Sequence, residues 1–178
     1  MAKQNTRALA EAAGAKTPSD FALFERLCGM RRSAAEFIKD WKSGSIPAPK
    51  GIFLHYDFLL KRGRFYRAQP LPQGFRRGRA KQCYGNSFDL TVKKPELAYC
   101  EGFAVVQLGG EGTTDVEHGW CVAADGSVID LTLKAPGLAY FGVAYTDDEI
   151  GDGAALPVID ELLDAWLLPK TLKSRRRK

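Results

Sequence analysis

The chain has 178 residues, the length of one ordinary domain and enough to bury a proper core. Its 45% hydrophobic and 11% aromatic residues exclude a disordered or fibrous protein, and no apolar stretch approaches the roughly 18 residues of a transmembrane helix. The formal net charge of +5 is unevenly spread: residues 61–81 hold eight Lys or Arg and no acid, "KTLKSRRRK" is a second basic cluster, and residues 135–169 carry seven acids and no Lys or Arg.

Residues 1–16 mix small and charged side chains and lack the apolar core of a secretion signal, so they read as a flexible arm, frayed or weakly helical, of a soluble, cytoplasmic protein. "TPSD" then opens a helix, with Thr17 as N-cap, Pro18 at the first helical position and Asp20 three residues after the cap. Phe21, Phe24, Cys28, Ala35, Ile38 and Trp41 form its apolar stripe, and the helix should stop near Gly44. "IFLHYDFLL" (52–60) is strand or helix, and its His55 is read as packing or hydrogen-bonding.

A basic loop over 61–81 follows, then a helix that begins at Cys83 and ends before Pro95. The period then changes to that of strands: "LAYCEGFAVVQL" (97–108), a hairpin in "VEHGWCVAADGSVIDLTL", and "LAYFGVAY". "LPVIDELLDAWLLP" reads as a closing amphipathic helix with Pro157 at its start. This order predicts an α+β fold, an antiparallel sheet packed against helices, in one domain over 17–169 with a basic tail at 170–178.

The basic loop offers Arg62, Arg64, Arg67, Arg76, Arg77, Arg79 and Lys81 to an acidic partner or to nucleic acid, and the aromatics of "RFYRAQPLPQGFRR" would suit base stacking. The same stretch also reads as a stiff surface loop with nothing bound. The four cysteines lie far apart without a C-x-x-C pair, which argues against a disulfide scaffold or a zinc knuckle. Cys28, Cys100 and Cys121 read as packing residues, and Glu101 as a substrate-binding group or, in preference, an exposed strand carboxylate.

The hairpin carries the chemistry. "ADG" at 124–126 fits a three-residue loop that pairs Ala123 with Ser127. Counting back sets His118 opposite Thr132 and Trp120 opposite Asp130, so His118 and Asp130 become diagonal neighbours on one face. Val116, His118, Trp120 and Val122 share that face, and Glu117, Gly119 and Cys121 the other. Trp120 either walls a site there or fills the core.

Cys83 at a helix start is placed to ionise, since a helix N-terminus and a nearby imidazole both lower a thiol pKa. Cys83 as nucleophile, His118 as base and acid and Asp130 as orienter match an acyl-transfer site; the alternative is a buried cysteine and a sheet histidine with purely structural roles. A metal site is not expected: zinc would need a third ligand, and Cys121 falls on the face opposite His118.

The pattern "C-x-x-N-S … H-G-W … V-I-D-L-T" resembles the core of the transglutaminase-like and papain-like cysteine superfamily, over about residues 82–143. The stretch is also similar to small bacterial and phage proteins. The resemblance implies a Cys-His-Asp triad working through a covalent acyl-enzyme without a cofactor. It further implies an oxyanion site at the Cys83 amide, with Gln82 or Asn86 as side-chain donors and Tyr140 to Gly142 edging the cleft.

Papain-type peptidases carry a glutamine where this chain reads "FRRGRAK". That favours an amidase, deamidase or transglutaminase-like acyltransferase over a general peptidase. The substrate would be an amide or thioester, in a protein or a small molecule. The alternative is a non-catalytic binding module of hydrolase-like fold that engages nucleic acid or an acidic protein through its basic surface.

Overall fold

The computed structural model describes residues 3–43, 55–110 and 112–150. The expected closing helix at 156–169 and the tail at 170–178 lie outside these residues, as do the side chains of Ile38, Trp41 and His55.

The expected capping box forms. The Asp20 amide donates to Thr17 Oγ1 (3.2 Å), and Asp20 Oδ2 accepts from the amides of Thr17 (2.8 Å) and Lys16 (2.9 Å). Such a cap contributes about 1 kcal/mol. It starts α2 (Pro18–Lys42), whose buried face is Leu23, Phe24, Leu27, Cys28 and Ala34; Ala35, expected on that stripe, is exposed. Of the frayed or weakly helical arm expected over 1–16, the helix forms, docked on the core rather than flexible. Lys3–Ala12 form α1, Gly14 ends it at φ 90°, and Ala10 and Ala15 are buried against the core. Small side chains let this helix dock closely, so no long apolar run announces it.

"IFLHYDFLL" resolves in favour of helix, with α3 at His55–Arg62. The basic segment is not all loop: Arg64–Tyr66 form strand β1, and Arg67–Gln82 cross over to α4 (Cys83–Lys93). Strands β2 (Ala98–Gln107), β3 (Thr113–Val122), β4 (Val128–Ile129) and β5 (Ala139–Tyr145) follow, then the short α5 (Asp147–Ile150).

The five strands make one antiparallel sheet in the order β1-β5-β2-β3-β4. It curls into a half-barrel. Its two edges meet where the Arg67 amide donates to Gly126 O (3.0 Å) and the Val128 amide to Arg67 O (3.0 Å). The inner face gathers Tyr66, Cys100, Ala104, Trp120, Val122, Val128 and Tyr140. Glycines supply the room for these large rings: a Cβ on Gly142 would lie 2.6 Å from the Trp120 ring.

The outer face, with Tyr99, Phe103, Val105, Phe141 and Val143, packs on α1, α2 and α3. Helix α4 covers the β3–β4 end through Leu90 against Cys121, Ile129 and Leu131. Among the described residues no helix is long and apolar enough to cross a membrane.

Candidate active site

The turn chemistry sets the site. The Ala123 amide donates to Ser127 O (3.0 Å), and Gly126 takes φ 79° as the third loop residue, so the expected register holds: Cys121 faces Ile129 and Val122 faces Val128. Strand β4 is shorter than expected and ends at Ile129, so β3 pairs with β4 only at Cys121 and Val122. The edge of β3 at His118 and Gly119 is therefore open to the first turn of α4. Gly119 makes that approach possible, because a Cβ there would lie 2.8 Å from Cδ1 of Tyr84 and 3.1 Å from its Cα.

Lys81, in the left-handed region at φ 61°, turns the chain into Gln82, the N-cap residue of α4. Gln82 is exposed and makes no side-chain cap, so the first-turn amides keep their hydrogens for other acceptors. Cys83, half-buried, uses them. Burial pushes its thiol up, but hydrogen bonds with His118 and with the amides of Gly119 and Tyr84 outweigh burial and hold its pKa below the ordinary 9.0.

His118 is buried, with its ring stacked beside Trp120 at 6.2 Å. Its Nε2 lies 2.8 Å from Asp130 Oδ2, which leaves Nδ1 for Cys83. Burial lowers its pKa, and the bonds to Asp130 and Cys83 overcome this and raise it from 6.5 to about 9. The two shifts run in opposite senses, the one that favours thiolate beside imidazolium.

Asp130 is held by four donors. Oδ2 takes His118 and the Tyr140 hydroxyl (2.9 Å); Oδ1 takes the amides of Thr132 (2.8 Å) and Leu133 (3.1 Å). Burial raises this carboxyl, but the hydrogen bonds keep it below its usual 3.8. The Tyr140 oxygen accepts in turn from the Gly137 amide (2.9 Å). The family resemblance implies that Tyr140 edges a cleft. The structure buries it completely, as the residue that fixes the orienting carboxylate. Tyr140→Phe should cost about 1–3 kcal/mol by stranding the Gly137 amide and one carboxylate lone pair, read as a lower urea midpoint at unchanged m.

Other expectations change. Asn86 is no oxyanion donor: both Nδ2 hydrogens are used, on Arg79 O (2.7 Å) and Thr132 Oγ1 (2.9 Å), while Oδ1 accepts from the Arg79 amide (3.0 Å). It ties the crossover loop to the segment after Asp130. Trp120 is fully buried core that also backs His118. Glu101 is buried rather than exposed, and accepts from Tyr99 Oη at 2.6 Å. Cys28, Cys100 and Cys121 are buried, as expected. No cluster of three metal-ligating side chains occurs among the described residues.

The basic loop is partly neutralised. Arg62 pairs with Glu149 (2.8 Å) and Arg67 with Asp125, Arg64 lies over the Tyr66 ring, and Arg77 donates to the carbonyls of Leu133 and Lys134. Arg76, Arg79 and Lys81 are exposed. The aromatics expected to stack on bases are engaged elsewhere: Phe65 packs on Phe141 (4.8 Å between centroids), Tyr66 is buried on Trp120, and Phe75 lies beneath the Lys94 ammonium. Compared with known proteins, the chain matches no family model, no curated protein and no solved structure.

Proposed function

We propose that the protein is a cysteine-dependent hydrolase or acyltransferase acting on an amide or thioester, with a papain- or transglutaminase-like core. The observation that carries this reading is the chain of contacts from Cys83 to His118 to Asp130. It ends in a carboxylate held by four donors and begins in a thiol whose pKa is lowered despite burial.

The Cys83 thiolate attacks the carbonyl carbon, and the π electrons move onto oxygen to give an oxyanion beside the Cys83 amide at the start of α4. The imidazolium of His118 then gives its proton to the leaving amine or thiol as the C–N or C–S bond breaks, leaving an acyl-enzyme. His118, now neutral, takes a proton from water or an acceptor amine, whose attack releases the product and restores the thiolate. Asp130 keeps Nε2 occupied throughout, so Nδ1 alone handles the proton.

A second reading, a non-catalytic module of the same fold, draws its support from the basic groove beside α4.

Acyl trapping tests the first reading. With p-nitrophenyl acetate or a small thioester at neutral pH, peptide mass should place the acyl group on Cys83. His118→Gln should slow the acylation about 10²- to 10⁴-fold, the usual range for a lost general acid–base. Acylation spread over surface lysines, or unchanged in His118→Gln, would remove the support for this reading.

A further inference from the structure

The crossover loop and α4 line a groove of about 560 Å³, whose walls include Phe75, Arg76, Arg79, Asn86, Asp89, Lys93 and Lys94. That volume lies within the range of pockets that hold ligands. Four cations face one carboxylate, Asp89, and Lys94 also lies 3.6 Å from Glu96 outside it. Arg77, also in the lining, is spent on the Leu133 and Lys134 carbonyls. The wall on the α4 side begins at Asn86, three residues from Cys83, and a helix rises about 1.5 Å per residue. The groove therefore starts roughly one turn from the thiol.

We propose that this groove binds an acidic polypeptide segment and presents the residues flanking it to Cys83. The presentation rests on the acyl-transfer reading; the binding itself does not. Charge complementarity selects an anionic guest. The aromatic inventory selects polypeptide over single-stranded nucleic acid. Stacking surfaces are what single strands use besides charge, and Phe65 and Tyr66 are packed in the core while the face of Phe75 is covered by Lys94. The lysine and arginine heads that remain suit carboxylates spaced along a chain.

The experiment is fluorescence anisotropy on the full chain with three labelled probes at low salt: a glutamate-rich peptide, a glutamine-rich peptide of equal length, and an oligothymidine. The glutamate peptide should bind, and the glutamine peptide should not. Arg76→Glu with Lys93→Glu, both exposed and free of structural bonds to carbonyls, should weaken binding at least tenfold with the circular dichroism spectrum unchanged. Three results overturn the proposal. They are oligothymidine binding as tightly as the glutamate peptide, no binding of that peptide at low salt, or binding that survives the double charge reversal and so belongs to the basic C-terminal cluster. The acyl-transfer reading fails separately, in the trapping of Cys83, which these probes do not touch.

Discussion

At about pH 6, iodoacetamide should alkylate Cys83 alone, about tenfold to a hundredfold faster than an ordinary thiol. A thiol of pKa about 8.5 is ionised in roughly one molecule in 300 at that pH, which sets the available gain. Part of it is returned, because a less basic thiolate is a weaker nucleophile. The other cysteines serve as internal controls, since burial pushes Cys28 and Cys100 up and Cys121 to about 12.

Removing the imidazolium should abolish the advantage. His118→Gln keeps an amide to hydrogen-bond Asp130 but cannot carry the charge, and in it the Cys83 rate at pH 6 should fall at least tenfold. The two proteins should converge as pH rises past about 9, where an ordinary thiol is also ionised. A Cys83 rate that follows an ordinary thiol titration in both proteins would falsify the ion pair and leave Cys83 as a packing residue. Peptide mass resolved against time and pH decides between them.

The parts of this site that were legible in the sequence were set by local chemistry. The Thr17–Asp20 cap, the start of α4 at Cys83 and the "ADG" loop are each written in a few consecutive residues, and that loop sets the register that puts Asp130 on the face of His118. What stayed hidden depends on contacts between distant segments. Tyr140 reaches Asp130 only because β5 crosses the sheet between β1 and β2. Asn86, close to Cys83 in sequence, is drawn away by Thr132, 46 residues on.

The aromatics among the arginines show the same limit. Composition suggested a stacking surface. The meeting of β1 with β4 at Arg67 and Ser127, which no periodicity reports, turns Tyr66 into the barrel instead. Gly119 sits in the quoted "HGW", but its purpose, letting Tyr84 approach the strand, appears only when α4 is laid against it.

Stability against pH provides the second large effect, and its sign identifies the charge state of the pair. His118, raised from 6.5 to about 9, contributes stability that is full below pH 6.5 and is lost as pH climbs through about 9. Cys83, lowered from 9.0, contributes in the opposite sense: its share is present above 9.0 and is lost as pH falls through its folded value. Between the folded value of Cys83, which lies below 9.0, and about 9 the folded pair holds one proton, on the imidazole. The unfolded chain also holds one there, on the thiol. With no net difference in bound protons there, the slope from this pair is close to zero, and the wild-type profile should level off once pH passes the folded Cys83 value.

Cys83→Ala removes the compensating thiol. His118 still keeps the raising bond to Asp130, so stability should now fall as pH rises above 6.5, by up to roughly 3 kcal/mol if the whole rise from 6.5 to about 9 persisted. The bond from Cys83 supplies part of that rise, so the observed fall should be smaller than this bound but well above the wild-type slope. Urea melts at a series of pH values between 6 and 9 measure it directly. A falling wild-type profile that Cys83→Ala leaves unchanged would mean the thiol is neutral in the folded protein, and the nucleophile would then have to be generated only when substrate binds.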